Sequence, residues 1–401
     1  MVTVEEAGKI VQSQIKDFGT ESISFESALG RVLAEDLTAD RDLPPYNRVS
    51  MDGIAINHNS FEKGTKNFKI IATQAAGDTP IDISEPNECI EIMTGAAIPT
   101  STDTIIRYED LDINDGIATI MIEDVKKGQN VHLKGTDKKQ HDIVAKSCQV
   151  IDPALISMAV SVGKTNLIVK KLPRVVIITT GDELVAPNEI PSPYQIRRSN
   201  NYTIKTILQQ FCIDAELLHI SDDHAQTKQT IANCLDKYDV IILSGGVSAG
   251  KFDYVPQVLD ELGVKKLFHQ VQQRPGKPFW FGAHEKGNLV FAFPGNPVST
   301  FMCLHRYLLP WLQKSLGLST QNTYAALTDD VFFKPALKYF LQVKIHVNEQ
   351  GQLLATALEG HGSGDYANLV DSNAFMELPV ETTNFNKGEV YRVWPFKNTI
   401  Y

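Results

Sequence analysis

The chain has 401 residues, a formal net charge of −10 and five cysteines. That length exceeds what one hydrophobic core supports, so two to four domains are expected, and the negative balance argues against a nucleic-acid partner while leaving room for a local basic patch. Cys89, Cys148, Cys212, Cys234 and Cys303 lack ligand-like spacing and read as small buried hydrophobes in a reducing compartment; with no basic-then-apolar leader and no bilayer-length apolar run, a cytoplasmic protein without membrane partners is expected.

Apolar residues recur at helical spacing from Val4 to Phe18, and the pattern predicts a second amphipathic helix from Ser24 to Ala34. Asp42-Leu43-Pro44-Pro45-Tyr46 then breaks it, because each proline fixes its own φ and restricts the residue before it. From Asp52 to Val131 short apolar runs such as Phe68-Lys69-Ile70-Ile71-Ala72 are separated by Gly, Asp and Asn, which predicts a small β-rich domain. A helix is expected from Asp152 to Val162, with Asp152 as its cap and Pro153 at the first helical position. Strands and helices alternate after Arg174: strands at 174–180, 215–220, 239–243, 265–270 and 288–293, and helices at 200–211, 224–236, 254–262 and, longest, 297–316. Such alternation implies right-handed crossovers and a mostly parallel sheet covered on both faces. From Tyr324 to Tyr401 short alternating runs such as Phe340-Leu341-Gln342-Val343-Lys344-Ile345 suggest a small β-barrel or sandwich.

The chemistry-bearing residues follow the apolar runs of the alternating section. Loops at the carboxyl ends of parallel strands gather into one crevice, where ligands bind. Val175 to Thr180 opens into Gly181-Asp182-Glu183, Ala215 to Ile220 into Asp222-Asp223, and Val240 to Leu243 into Ser244-Gly245-Gly246-Val247-Ser248-Ala249-Gly250, with Asp253 beyond. This glycine loop has neither the Lys-Ser/Thr ending of a Walker A loop nor GxGxxG spacing, so hydride transfer and ordinary nucleotide hydrolysis are poorly supported. By itself it is explained better by a tight turn, and each acidic pair as well by a helix cap. Together they place three acidic loops at one end of one sheet, where a divalent cation relieves carboxylate repulsion and glycine backbone cradles phosphate. A phosphorylated substrate and a magnesium ion are expected. Arg274-Pro275-Gly276-Lys277-Pro278 supplies positive charge on a fixed backbone, suited to a phosphate, an oxyanion or an acidic pair. Pro294-Gly295-Asn296-Pro297 leads into the long helix, whose first amides are available to an anion. Ser50-Met51-Asp52-Gly53 and Met93-Thr94-Gly95-Ala96 look like ordinary turns, and the histidines show no zinc-like spacing.

In their order, Pro44-Pro45-Tyr46 with Ser50-Met51-Asp52-Gly53, Ile92-Met93-Thr94-Gly95-Ala96, Thr180-Gly181-Asp182-Glu183-Leu184, Ser244-Gly245-Gly246-Val247-Ser248, Asp253-Tyr254, Arg274-Pro275-Gly276-Lys277-Pro278 and Pro294-Gly295-Asn296-Pro297-Val298-Ser299 span nearly the whole chain. The set resembles the molybdopterin molybdenumtransferase family of molybdenum-cofactor biosynthesis, to which the gephyrin E domain is related. The resemblance implies a multidomain α/β protein. Its expected parts are an amino-terminal helical and linker domain at 1–51 and 138–172, a β-rich insert at 52–137, a mostly parallel three-layer α/β molybdopterin-binding domain at 173–318, and a small carboxyl-terminal β-barrel at 324–401. It implies that molybdate is inserted into adenylylated molybdopterin with magnesium-dependent hydrolysis of the adenylate, releasing AMP and molybdenum cofactor.

The resemblance further implies a homodimer with shared active sites. Glu183, Asp222 and Asp253 would form the acidic catalytic and metal set, with Asp52 and Thr94 completing the neighbouring subunit's crevice. Gly245, Gly246, Ser248, Arg274, Lys277, Pro294, Gly295, Asn296, Pro297 and Asp137 would bind substrate. A molybdopterin adenylyltransferase and recipient molybdoenzymes are the implied partners. Four positions depart from the family pattern in charge or hydrogen bonding: Gln270, His132, Thr136 and Gln342. Two other readings share the α/β module, a molybdopterin adenylyltransferase and a non-catalytic scaffold like gephyrin; the added domains argue for insertion.

Overall fold

A computed structural model of the protein describes residues 1–247, 253–358 and 367–397. The first helix, Val4–Gln12, starts where Thr3 and Glu6 cap each other reciprocally and buries Val4, Ala7 and Val11. The second expected helix does not form. Thr20–Ser24 is instead a strand paired antiparallel with Asn166–Lys170, only a 3₁₀ turn follows at Phe25–Ser27, and Gly30 at φ +79° ends any helical path. The helix expected after Asp152 spans Pro153–Ser161, with the Asp152 carboxylate accepting from the Leu155 amide at 2.8 Å.

The β-rich segment is a six-stranded mixed sheet in the spatial order Thr104–Arg107, Gly53–Ile56, Glu88–Ile92, Asn67–Gln74, Ile117–Ile120, Leu111–Asn114. Ile54, Ile56, Phe68 and Ile106 pack together in one of its buried clusters, Ala55, Ile90, Ile92 and Ile105 in another.

The central sheet has the order Glu216–Ile220, Val175–Thr180, Val240–Ser244, Leu289–Phe293, Trp280–Ala283, Lys265–His269. The first four strands are parallel, and the last two join antiparallel. Alternate residues divide between two cores. Ile177, Ile242 and Phe291 pack with Ile204, Leu208, Tyr307 and Trp311, whereas Ile178, Ile241, Leu243 and Val290 pack with Ile231, Leu235, Val258 and Leu259. Burial on both faces is what makes these strands near-continuous apolar runs. Trp280–Ala283 escapes sequence reading because Phe279-Trp280-Phe281 passes for the buried exit of the preceding loop. The long final helix is broken into Pro297–Cys303, a π-helical turn at Leu304–Leu308, and Leu309–Ser315. Pro310 explains the break: it lacks the N–H that an α-helix would direct at the Arg306 carbonyl.

The carboxyl-terminal strands form a barrel rather than a sandwich. Lys338–Val347, Leu353–Ala357, Thr323–Leu327, Val390–Pro395 and Ala374–Leu378 neighbour one another in that order, and the last pairs back onto the first. Gln273–Arg274 adds in parallel to Lys338–Tyr339, which stitches the basic loop directly to the barrel. Among the cysteines, Cys148 and Cys212 are exposed, against expectation. Both occupy left-handed turn positions, φ +61° and +59°, rather than core-facing positions of a strand or helix.

Candidate active site

The parallel strands end in a crevice of about 590 Å³. Thr180, Gly181, Glu183, Asp222, Gly245, Gly246, Asp253, Pro294, Gly295, Asn296 and Pro297 all line it, so most of the sequence-expected set is brought together. Ser248 lies outside the described residues.

No helix follows Gly181-Asp182-Glu183, so these acids cap nothing; the chain continues into Leu184–Val185, paired with Ile196–Arg197. Gly181 has φ +134°, and a β-carbon there would run into the Glu183 carboxylate. At the next strand end the two acids divide their work. Asp223 caps His224–Lys237, accepting from the Gln226 amide at 2.7 Å, while Asp222 lines the crevice. The Asp222 amide donates to the Asp182 carboxylate at 3.2 Å. Burial, and then the negative charges of Asp182, Glu183 and Asp253, push the Asp222 carboxyl above its ordinary range. Gly245 and Gly246, at φ +100° and +68°, press against Thr180: added β-carbons would lie 2.9 Å from its carbonyl oxygen and 2.8 Å from its hydroxyl oxygen.

Sequence reading missed the basic and polar wall of this crevice. Arg197, Arg198, Ser199 and Asn200 line it at the start of the helix Asn200–Gln209. Asn200 Nδ2 donates to Ser244 Oγ at 2.9 Å and to the Gly295 carbonyl at 2.7 Å, tying two strand-end loops together. The available signal was an adjacent pair of arginines directly before a helix start.

The basic loop faces a second cavity of about 340 Å³ between the central sheet and the barrel, lined by Arg274, Lys277, Ser299, Tyr339, Gln342 and Leu358 among others. Pro275 and Gly276 are buried while Arg274 and Lys277 are exposed, so the rigid backbone is packed inward and both cations point out. Fully buried Gln273 donates to the Gly276 carbonyl at 2.9 Å and accepts from the Tyr307 hydroxyl. The Arg274 guanidinium lies 5.7 Å from the Phe333 ring centre, and that ring stacks on Tyr339. Pro278, Pro294 and Asn296 line both cavities.

Other expected residues lie elsewhere in the single chain. Asp52 Oδ1 accepts from both the Thr94 amide and hydroxyl at 2.6 Å, bonds that hold its carboxyl below the ordinary range, and neither residue lines either cavity. Asp137 pairs with His132 Nε2 at 2.9 Å, and the Thr136 hydroxyl donates to the Leu133 carbonyl at 2.5 Å. Gln270 is held by backbone bonds to Val2 and Phe279 and lines neither cavity; only Gln342, of the four departures, does. Among the described residues no three His, Cys, Asp or Glu side chains converge as a metal-ligand group.

An α/β enzyme with its crevice at a parallel sheet's carboxyl ends, carrying a β insert and a barrel, is the class that this fold and site define. Three family descriptions match consecutive stretches: the MoeA N-terminal region (domain I and II) over residues 2–163, a probable molybdopterin binding domain over 176–314, and the MoeA C-terminal region (domain IV) over 324–396. A molybdopterin molybdenumtransferase from Synechocystis sp. is 37% identical over 394 residues, covering 98% of this chain and 99% of that protein. One from Staphylococcus epidermidis is 28% identical, with 98% and 95% covered. The crystal structure of a molybdopterin biosynthesis MoeA protein from Pyrococcus horikosii matches all of both chains with a TM-score of 0.83 at 28% identity. The chain belongs to the molybdopterin molybdenumtransferase family of molybdenum-cofactor biosynthesis.

Proposed function

We propose that the protein inserts molybdate into adenylylated molybdopterin, with magnesium-dependent hydrolysis of the adenylate and release of AMP and molybdenum cofactor. The observation that carries this reading is the adjacency of two unlike cavities, one gathering three carboxylates beside an arginine pair and one cationic, across a shared wall of Pro278, Pro294 and Asn296. A substrate joining a phosphoanhydride to a metal-accepting dithiolene has two ends to place, and an oxyanion must meet one of them. Arg274 and Lys277 bind the molybdate. Their positions on a backbone fixed by Gln273 reduce the ordering cost of gripping an anion. Gly245, Gly246 and the Pro294–Pro297 turn hold the phosphate-bearing end.

The acidic set fits a cation in one respect, since like charges acting on Asp222 are relieved by a positive ion. It does not fit a dedicated protein cage, since no three ligating side chains converge among the described residues. Magnesium commonly combines one or two carboxylates with substrate phosphates, and in that arrangement one or two of Glu183, Asp222 and Asp253 would hold it. When bound, it would stabilise charge on the departing phosphate oxygen. Asp52 and Thr94 act in the neighbouring subunit's crevice of a homodimer. The deciding experiment mixes purified protein with adenylylated molybdopterin, molybdate and magnesium and follows AMP. Absence of AMP release under conditions where the protein is folded sinks the reading.

A further inference from the structure

The acidic crevice also holds positive charge that the protein leaves unused. Arg198 lines it with its Nε atom buried and without a hydrogen-bond partner, and its guanidinium forms no ion pair with Glu183 or Asp222. A second polar group of the same crevice is in the same condition. Thr180, only 6% exposed, lines the crevice with its hydroxyl oxygen buried and unpartnered, against the Gly245-Gly246 backbone. Ser199, at the cap of the ten-residue helix Asn200–Gln209, makes no side-chain capping bond.

These donors have a common meaning. A half-buried guanidinium without an anion loses hydration and gains nothing in return, and the same holds for a buried hydroxyl. Glu183 and Asp222 line the same cavity, yet neither forms an ion pair with Arg198, so these opposite charges are not neutralised by each other. A cavity with separated charges suits a ligand that brings both signs, a phosphate and its counter-cation. Arg197 is partly committed, its Nε donating to the Glu189 carbonyl at 3.2 Å, which leaves Arg198 as the available fork.

We propose that Arg198 is a phosphate-binding residue of this crevice, donating to the phosphoanhydride of the substrate, with the Thr180 hydroxyl as a second donor. This deepens the insertion reading and rests on it, because that reading supplies a substrate with two linked phosphates.

The test is calorimetric binding of adenylylated molybdopterin, with magnesium present and molybdate omitted, across a salt series. Arg198→Gln should weaken binding on the order of ten- to a hundredfold, the loss expected for one charged hydrogen-bonded contact. It should also flatten the salt dependence, because a screened charge pair has been removed. Arg198→Lys keeps the charge without the fork and should fall between the two. Thermal unfolding of both should match the parent, since no side-chain hydrogen bond or ion pair of the protein is lost. Parental affinity in Arg198→Gln overturns the inference, as does weaker binding with an unchanged salt dependence. If the parent protein itself fails to bind this ligand, the insertion reading falls and takes the inference with it; parental binding with an unaffected Arg198→Gln sinks the inference alone.

Discussion

The two cavities share three wall residues and differ in almost everything else. The crevice at the strand ends gathers Glu183, Asp222 and Asp253, and Gly181, Gly245 and Gly246 at positive φ shape two of its strand ends. The chamber beside the barrel gathers Arg274 and Lys277 on a loop fixed by prolines and by Gln273. In the first, like charges are held close enough to push a carboxyl up. In the second, the cations are exposed and one rests on an aromatic ring. The difference teaches where each ligand's charge is met. Repelling carboxylates call for a cation that arrives with the substrate, whereas a cationic loop over a packed backbone is complete for an anion beforehand.

The sharpest way to break that division is to remove an acid that carries no packing. Glu183 is exposed and caps no helix, so Glu183→Ala should keep the parental melting temperature and lose AMP release by roughly a hundred- to a thousandfold, the scale for one electrostatic group in a preorganised site. Parental turnover in this variant would remove Glu183 from the reaction. Almost as large an effect tests whether the crevice is shared. Asp52 and Thr94 lie together but away from either cavity of their own chain. Mixed dimers of Asp52→Ala with Asp253→Ala subunits would place both lesions in one composite site and leave the other intact. Two inactive parents should then recover toward about half of wild-type activity per dimer, by the symmetry of an isologous pair. Heterodimers as inactive as their parents would confine Asp52 to a structural role.

Most of the crevice was legible because open parallel sheets put ligands at strand ends, and strands buried on both faces announce themselves as apolar runs. What the chain order hides is which of two adjacent acids faces inward. Asp222 and Asp223 are equivalent in sequence, and only the start of the helix at His224 assigns Asp223 to capping. Arg198 was illegible for a related reason: a basic pair before a helix looks like a solvated face until the neighbouring strand ends close around it. The false helix at Ser24–Ala34 shows the limit of periodicity, since Phe25, Ala28, Leu29 and Val32 recur at helical spacing, yet Ile23 and Leu33 pair with the distant strand Asn166–Lys170.

A smaller effect should separate the cationic chamber from its surroundings. Lys277→Ala or Arg274→Ala should raise the molybdate concentration for half-maximal AMP release by about ten- to a hundredfold, because one charged contact to a desolvated anion is lost. Both positions are exposed, so screening by water pulls the expectation toward the lower figure. Gln270→Lys should leave the titration unchanged, since Gln270 lines neither cavity. A lower half-saturation in that variant would extend the anion site beyond the chamber, and unchanged curves for both alanine variants would empty it.

The smallest expected effect is on stability and concerns the repulsion itself. The Asp222 carboxyl is raised by burial and then by Asp182, Glu183 and Asp253, so the folded protein holds this proton to higher pH than the unfolded chain does. Between the unfolded value and the raised folded one, the native state binds more protons, and stability falls as pH rises through that window; above it the penalty is constant. Asp222→Asn removes the charge, so its melting temperature should exceed the parent's at neutral pH, and the gap should close as pH drops below the ordinary aspartate range. For a chain of this size the gain should be no more than roughly a few degrees. Magnesium should narrow the gap by stabilising the parent more than the variant, because only the parent keeps all three carboxylates to offer. A variant that gains nothing at neutral pH, or that responds to magnesium as strongly as the parent, would mean that Asp222 is already compensated within the protein and that the two cavities differ less in charge than their linings suggest.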